Sequence, residues 1–552
     1  MHSEKHTIHL TSENLDIHAD AGQTVLEALI GVGIFLRTDC GGKGGCGKCR
    51  VKMTAGAAGS VAAPDESEIK ILGQSDLSEG VRLACRLKIS GGISLAIPET
   101  SRLSAEVAQK GLPTLFDKLA ELKSPPTGLP DSYGLAVDLG TTTVAVYLCN
   151  LSTGTVTAST SARNPQILFG DDVMSRISAI RLDPALLARQ QKMAVKAIEW
   201  GITSLCRSSR IDPAKINTMV VVGNSTMIHI FVGENPSSIG VFPYTPQFVD
   251  EKTLRAGSIG FRFNPNSHIR TLPLITGFIG ADIVSAALVS ELSHTEPGTM
   301  LVDVGTNGEI MYLGKNGLSA TSCATGPAFE GAAISHGMHA VSGAIDAVNL
   351  VNNSAKAVCS VIQQNPAKPK KPAGLCGTGV ISTVAELYKV GLILKDGAFD
   401  SKADSPYMRL DQNHLSEFII VPAESTPDGR PVTFTQNDVR AIQLAKGALR
   451  TGIDLLCKEA GMKHPTKLLV AGAFGSFINK KDAMRIGMFP RIPEEDIDVV
   501  GNAAGAGAIL ALFDEHILAR ANDLTRATRV LDLSTHPEFQ EIFINSLAFP
   551  DP

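Results

Sequence analysis

The feature that most constrains this 552-residue chain is a stretch it carries twice. Residues 135–148 read LAVDLGTTTVAVYL and residues 300–313 read MLVDVGTNGEIMYL, with a constant offset of 165. Asp138 falls on Asp303, Gly140 on Gly305, Thr141 on Thr306 and Tyr147 on Tyr312. Each copy reads as an apolar strand, an Asp-x-Gly-Thr turn and a second strand. The period is far longer than the roughly 20–50 residues of a solenoid repeat, so two related lobes facing one another are expected.

The turns are suited to phosphate. Gly140, Thr141, Thr142 and Thr143 offer backbone N–H and hydroxyl donors, and Gly305, Thr306, Asn307 and Gly308 offer a second set from the opposite side. Asp138 and Asp303, at the strand ends, are candidates to hold Mg²⁺ through water, because Mg²⁺ favours one or two carboxylates and keeps its waters. Phosphoryl transfer needs mainly positioning and charge stabilisation, which two converging loops and a metal supply. Farther on, LLVAGAFG (468–475) is a strand running into a glycine turn, where backbone can approach a flat base or ribose closely. GNAAGAGA (501–508) opens a helix of small residues suited to close packing between lobes.

This ordered set resembles the actin-like (RNase H-like) ATPase superfamily of sugar kinases, heat-shock chaperones and actin. The resemblance implies a first phosphate motif at 138–143, a second at 303–308, an adenosine motif at 470–475 and a last connecting helix at 501–508. Residues 221–226 (VVGNST) would form the first connection. It also implies ATP and Mg²⁺ as cofactors, with Gly472, Ala473 and Phe474 lining the adenosine end. A nucleotide-free relic of the fold is the alternative. Asp282 is a candidate general base, and equally a helix N-terminal carboxylate after Gly280 favoured by the dipole. Glu330 is open in the same way.

Ten cysteines are unevenly placed. Cys149, Cys206, Cys323, Cys359, Cys376 and Cys457 are scattered singly and read as core thiols. The other four form Cys40-x5-Cys46-x2-Cys49, with Cys85 following after 35 residues. Gly41, Gly42, Gly44, Gly45 and Gly47 fill the loop and let its N–H groups turn towards sulfur. Lys43, Lys48, Arg50 and Arg86 add positive field. Structural zinc normally shows two close cysteine pairs, whereas here there is one, which favours an iron–sulfur cluster over zinc. Around the loop the pattern reads as two strands over 5–18, a helix over 22–31, and further strands at 51–53, 83–87 and 93–97. The spacing resembles the adrenodoxin-like branch of the [2Fe–2S] ferredoxins over about residues 5–98. That implies a β-grasp fold and a one-electron carrier.

The expected organisation is multidomain, α+β and α/β. It comprises a [2Fe–2S] ferredoxin-like domain (1–98), a Pro-rich linker (99–132) with a short helical pattern near 115–122, a first actin-like lobe (133–298) and a second (299–552). Residues 362–373 read as a basic surface loop and 400–435 as a polar loop excursion broken by prolines. A core helix is expected over 438–460, with Thr435 and Asp438 as a capping box and Gly461 as its end. Hydrophobic residues make up 44% and charged ones 19%, enough apolar content for sizeable cores, and a net charge of -5 argues against nucleic-acid binding. No cationic apolar leader and no apolar run of about 18 residues is present, so a cytoplasmic protein without a membrane span is expected.

The whole chain resembles the reductive activators of corrinoid proteins. The supporting stretches are NPQILFGDDVMSRI (164–177), TGFIGADIV (276–284), CATGPAFEGAAISHGMHAVSGAI (323–345), GLCGTGVIS (374–382) and HPEFQEIFINSLAFP (536–550). The resemblance implies ATP-coupled reduction of a cobalt(II) corrinoid to cobalt(I) on a partner protein of a methyl-transfer system. An external low-potential electron donor and a homodimer are implied with it, and the linker would let the cluster swing towards its partner. The alternatives are an ATP-coupled donor to another low-potential enzyme, a redox-sensing small-molecule kinase, and a binding module without turnover.

Overall fold

The computed structural model describes residues 4–38, 42, 44–57, 59–102, 132–331, 333–338, 340–351, 356–363, 367–403, 405–411, 414–472, 478–514 and 516–551. Most of the expected linker, including the helical pattern near 115–122, lies outside these residues.

In the N-terminal domain β1 (Lys5–Leu10) pairs antiparallel with β2 (Leu15–Asp20), and β5 (Ile93–Ala96) runs parallel to β1. β3 (Arg50–Gly56) and β4 (Val81–Leu83) complete the order β2-β1-β5-β3-β4, the expected β-grasp sheet, but the strand expected over 83–87 ends at Leu83, where Arg86 N and Leu87 N both donate to Leu83 O and turn the chain past Cys85. Helix Val25–Gly31 opens on a capping box between Thr24 and Glu27 and buries Leu26, Leu29 and Ile30 among Ile8, Leu10, Val51 and Leu95. A second helical segment, Glu66–Ser78, kinked at Gly73 (φ 70°), was not legible in the sequence because its only buried residues are Glu68 and Leu72. Its anchor is polar: Glu68 accepts from Arg82 Nε (3.0 Å), Arg82 Nη2 (2.8 Å) and Leu83 N (2.9 Å).

The repeated stretches are hairpins at the centres of two equivalent sheets. β6 (Tyr133–Leu139) is antiparallel to β7 (Thr143–Asn150), which pairs with β8 (Thr155–Arg163). β6 also runs parallel to β9 (Ile216–Val222), and β10 (Thr253–Arg255) and β11 (His268–Thr271) extend that edge. In the second lobe β12 (Thr299–Val304), β13 (Gly308–Gly314) and β14 (Gly317–Cys323) repeat the meander. Two small sheets are appended, β15 (Ala344–Val351) with β16 (Lys356–Val361) and β17 (Gly374–Leu375), and β18 (Met408–Leu410) with β19 (Ser416–Val421) and β20 (Val432–Thr435). β21 (Lys467–Ala471) lies parallel to β12, with β22 (Ile497–Gly501) beyond it and β23 (Arg529–Val530) at the other edge.

The last small sheet corrects the expectation of a loop excursion over 400–435. Pro406, Pro422, Pro427 and Pro431 lie outside its strands, and Phe418 and Phe434 pair across β19 and β20, both fully buried. Helix Gln436–Glu459 follows as expected, with Thr435 and Asp438 forming the capping box.

The chain then crosses back. Helix Ala503–Phe513 leaves the second sheet and packs against β6, β9 and helix Ala281–Val289 of the first lobe. Small residues make that approach possible: a Cβ on Gly507 would stand 2.2 Å from Ser285 O. Ser285 Oγ donates to Ala504 O (2.8 Å), and Asn502 Nδ2 donates to the buried Tyr147 hydroxyl (2.8 Å). Residues 221–226, expected as the first connection, instead end β9 and begin helix Ser225–Val232 inside the first lobe. The helix that meets the returning one is Ala281–Val289.

Candidate iron–sulfur and nucleotide sites

The cysteine loop is shaped by the sheet beneath it. β3 and β4 pair with Arg50 opposite Leu83, and Ala84 N donates to Cys49 O (2.8 Å). The residues flanking that ladder, Cys49 and Cys85, are both buried, with sulfurs 3.3 Å apart. Two thiolates sharing one tetrahedral metal at about 2.3 Å would stand about 3.8 Å apart, so the pair is close to ligating geometry. Cys46 is half-buried on the same loop; Cys40 lies outside the described residues. Gly47 has a left-handed φ of 67°, and a Cβ there would stand 2.6 Å from Ile71 Cγ2. A glycine-lined loop with thiol donors fits an iron–sulfur cluster.

Arg50 and Arg86 do less for the local field than expected. Arg50 Nη1 pairs with Asp76 (2.6 Å) while its Nε donates to Gly47 O (3.0 Å), and Arg86 pairs with Asp65 (2.5 Å). Each arginine is matched by an acid and braces the loop against the helix Glu66–Ser78 region.

The two Asp-x-Gly-Thr turns converge between the lobes. Thr142 Oγ1 and Thr306 Oγ1 are 3.1 Å apart, although 164 residues separate them. Thr306 Oγ1 donates to Glu330 Oε1 (2.8 Å), Thr325 Oγ1 to Gly305 O (3.2 Å), and Asn224 Nδ2 to Thr141 Oγ1 (2.9 Å). Gly140 N donates to Thr143 O (3.0 Å), and Gly305 N donates to Asn307 O (3.3 Å), closing both turns. Gly308 opens β13. Asp303 lies opposite Ala471 in the parallel β12–β21 pair, and Gly472 then turns over it at φ 100°. A Cβ on Gly472 would stand 2.7 Å from Asp303 Oδ1, so this turn needs glycine. Ala473 and Phe474 lie outside the described residues.

Four carboxylates share this space. Asp138 lies next to last in β6, Asp303 lies in β12, Glu309 in β13, and Asp282 sits in the first turn of helix Ala281–Val289. Burial pushes the Asp282 carboxyl up to about 6; its bond to Glu309 opposes this and the Asp138 charge adds to it. Burial, then the charges of Asp282 and Asp303, raise Glu309 well above the usual carboxylate range. Glu309 Oε1 is buried without a hydrogen-bond partner among the described residues. No three of the described His, Cys, Asp or Glu side chains form a ready metal cage. Such an acidic, incompletely bonded space fits a hydrated cation held largely through water. Asp282 is a helix N-terminal carboxylate, and it faces the acidic space.

Glu309 and Asn224 were missed in the sequence. Glu309 interrupts an otherwise apolar strand, GEIMYL, and that breach was its available signal. Asn224 was hidden inside the stretch read as a connection.

Comparison with known proteins agrees with this layout. Residues 8–90 match the family described as a 2Fe-2S iron-sulfur cluster binding domain, 133–295 the RACo middle region, and 298–552 the C-terminal domain of RACo, the ASKHA domain. The corrinoid activation enzyme RamQ of Eubacterium limosum is 35% identical over 427 residues, covering 76% of this chain and 70% of that one. The [Co(II) methylated amine-specific corrinoid protein] reductase of Methanosarcina barkeri is 26% identical over 453 residues, covering 76% and 77%. A solved structure of a reductive activator for a corrinoid, iron–sulfur protein superposes over 99% of this chain and 98% of its own, with TM-score 0.70 and 26% identity. No helix among the described residues is long and apolar enough to cross a membrane. With an iron–sulfur domain, a middle region and an ASKHA domain in the same order, the chain belongs to the RACo family of corrinoid activators.

Proposed function

We propose that this enzyme is an ATP-hydrolysing reductase that passes one electron from a [2Fe–2S] cluster to the cobalt(II) corrinoid of a partner protein, leaving cobalt(I). The observation that carries the reading is the meeting of Thr142 and Thr306 across the lobes, in a chain whose cysteine loop rests on the first of those lobes. When bound, the cluster supplies one-electron carriage and MgATP supplies free energy. Cys40, Cys46, Cys49 and Cys85 would hold the cluster. Thr141, Thr142, Thr143, Thr306 and Asn307, with the glycines 140, 305 and 308, would hold phosphates. Asp138 and Asp303 would orient the hydrated Mg²⁺, Asp282 would serve as base, and Gly472, Ala473 and Phe474 would line the adenosine end.

The energetics give ATP a purpose. Each ~59 mV of uphill one-electron transfer costs about tenfold in equilibrium constant, so a donor above the cobalt potential leaves most cobalt oxidised. Lobes that bind nucleotide differently in two arrangements can favour the productive complex and then release it before the electron returns. A cytoplasmic homodimer fed by an external low-potential donor completes the proposal. Mixing the protein with a cobalt(II) corrinoid protein, reductant and MgATP should produce the visible spectrum of cobalt(I). An unchanged rate and extent without ATP would sink the reading.

A further inference from the structure

The stretch from Arg163 to Arg176 overlaps the segment NPQILFGDDVMSRI, and neither site above uses it directly. It lies between them. Asn164 is fully buried: its backbone N–H donates to Thr142 O (2.8 Å), and its side-chain amide donates to Gly140 O (2.9 Å) and Gln166 Oε1 (2.9 Å). Arg176, equally buried, donates to Gln166 Oε1 (3.1 Å) and Thr141 O (2.6 Å). Three successive carbonyls of the first Asp-x-Gly-Thr turn are thus held by one buried polar network.

The same stretch touches the cysteine loop. Arg163 Nη1 donates to Thr38 O (2.9 Å), two residues ahead of Cys40. Gly42 lies so close to Leu168 that a Cβ would stand 2.4 Å from its Cδ2. Nearby, Glu27 pairs with Arg189 (2.8 Å) and Phe35 meets Trp200 edge-on, with centroids 6.3 Å apart. A groove of about 740 Å³, lined by Gln23, Lys88, Lys192 and others, opens beside these contacts. The junction combines a hydrogen bond, a partly exposed ion pair and the apolar contacts of Leu168 and Phe35, each individually modest, so it can open. The side chains of Asn164, Gln166 and Arg176 under the turn, by contrast, are fully buried and bonded to one another.

Resting on the reading that ATP binds at the turn, we propose that residues 163–169 carry the nucleotide state of Gly140–Thr142 to the iron–sulfur loop. The ferredoxin domain is held on the first lobe in one state and let go in the other. Asn164 follows the turn, and Arg163, its neighbour, holds or releases Thr38. Arg163 and Leu168 are positioning residues on the ferredoxin side.

Trp200 is the only tryptophan of the chain and sits at the junction, so its emission reports on docking. The full-length, cluster-loaded protein is titrated with a non-hydrolysable ATP analogue and Mg²⁺, and ATP hydrolysis and ATP-stimulated cobalt(I) formation are measured in parallel. The parent's emission should shift. In Arg163→Leu and in Leu168→Ala the shift and the ATP stimulation should each fall about fivefold or more, while hydrolysis stays within about twofold. Arg163→Lys should recover part of both. Loss of cluster absorbance identifies a misfolded variant, and the other of the pair then carries the test. Variants that hydrolyse ATP and keep both the emission response and the stimulation overturn the coupling. So does a parent that is stimulated by ATP without any emission shift. A parent that neither hydrolyses ATP nor responds to it overturns the ATP reading and this inference with it.

Discussion

At the residue scale, the two sites differ in how their groups are made usable. Cys49 and Cys85 lie 3.3 Å apart because strand pairing brings position 50 opposite 83, so their proximity comes from the backbone. Serine is nearly isosteric with cysteine but does not supply the soft thiolate that an iron–sulfur centre uses. Cys49→Ser should therefore abolish the cluster's visible absorbance and cobalt reduction while leaving ATP hydrolysis within about twofold, since the turns lie elsewhere. Electronic absorption and a phosphate-release assay on the same sample check both halves. The carboxylates around Asp303 show the opposite case. Burial raises both Asp282 and Glu309, with the Asp138 charge adding to the first and the Asp282 and Asp303 charges to the second, which suits a space completed by a cation.

At the element scale, the C-terminal stretch HPEFQEIFINSLAFP shows what a helix end requires. Helix Phe539–Leu547 packs on helix Gln436–Glu459, and its terminal carbonyls have no partners within the helix. Lys446 supplies them: its Nζ donates to Ser546 O (2.7 Å) and Ala548 O (2.5 Å) from a buried position, and Gln443 Nε2 donates to Leu547 O (2.9 Å). Burial, aided by the Arg450 charge, brings the Lys446 ammonium down to about 7. A lysine lowered on folding costs stability below pH 7, where both states are charged. That cost is relieved as pH rises from 7 towards the unfolded value, because the native state sheds its proton first. Lys446→Met should lower stability by about 1–3 kcal/mol through the unpaired carbonyls, and should lose the rise between pH 7 and 9 that the parent shows. Denaturant melts at several pH values measure both.

At the scale of the whole molecule, the lobes are not separable at the boundary near residue 298. Helix Ala503–Phe513 comes from the end of the chain yet buries its small apolar face on β6, β9 and helix Ala281–Val289. A fragment of residues 133–298 should therefore lack cooperative thermal unfolding and bind a hydrophobic dye, and fusing residues 501–528 to it should restore a cooperative melt. A sharp melt from the shorter fragment alone would show that the returning helix is dispensable to the first lobe.

The features legible in the chain were those written in local spacing. The β-grasp strands, the capping box at Thr435 and Asp438 and the two Asp-x-Gly-Thr hairpins rest on patterns that neighbouring residues complete among themselves. The helix Glu66–Ser78 was not legible, because its anchor is the ion pair of Glu68 with Arg82 rather than an apolar stripe. Glu309 and Asn224 were passed over, and the 164–177 stretch carried a resemblance without a role, because their roles depend on what lies opposite them in space.

Sequence alone therefore determined the kinds of chemistry this protein carries, four thiols, three of them in a glycine loop, and two donor-rich turns, since residue type and short-range geometry set what a segment can bind. Tertiary structure decided how those pieces face one another. It set Thr142 against Thr306, the returning helix against the first lobe, and Arg163 against the loop of the cysteines. The physical reason is that such pairings form through burial of surfaces distant in the chain, which no local period records.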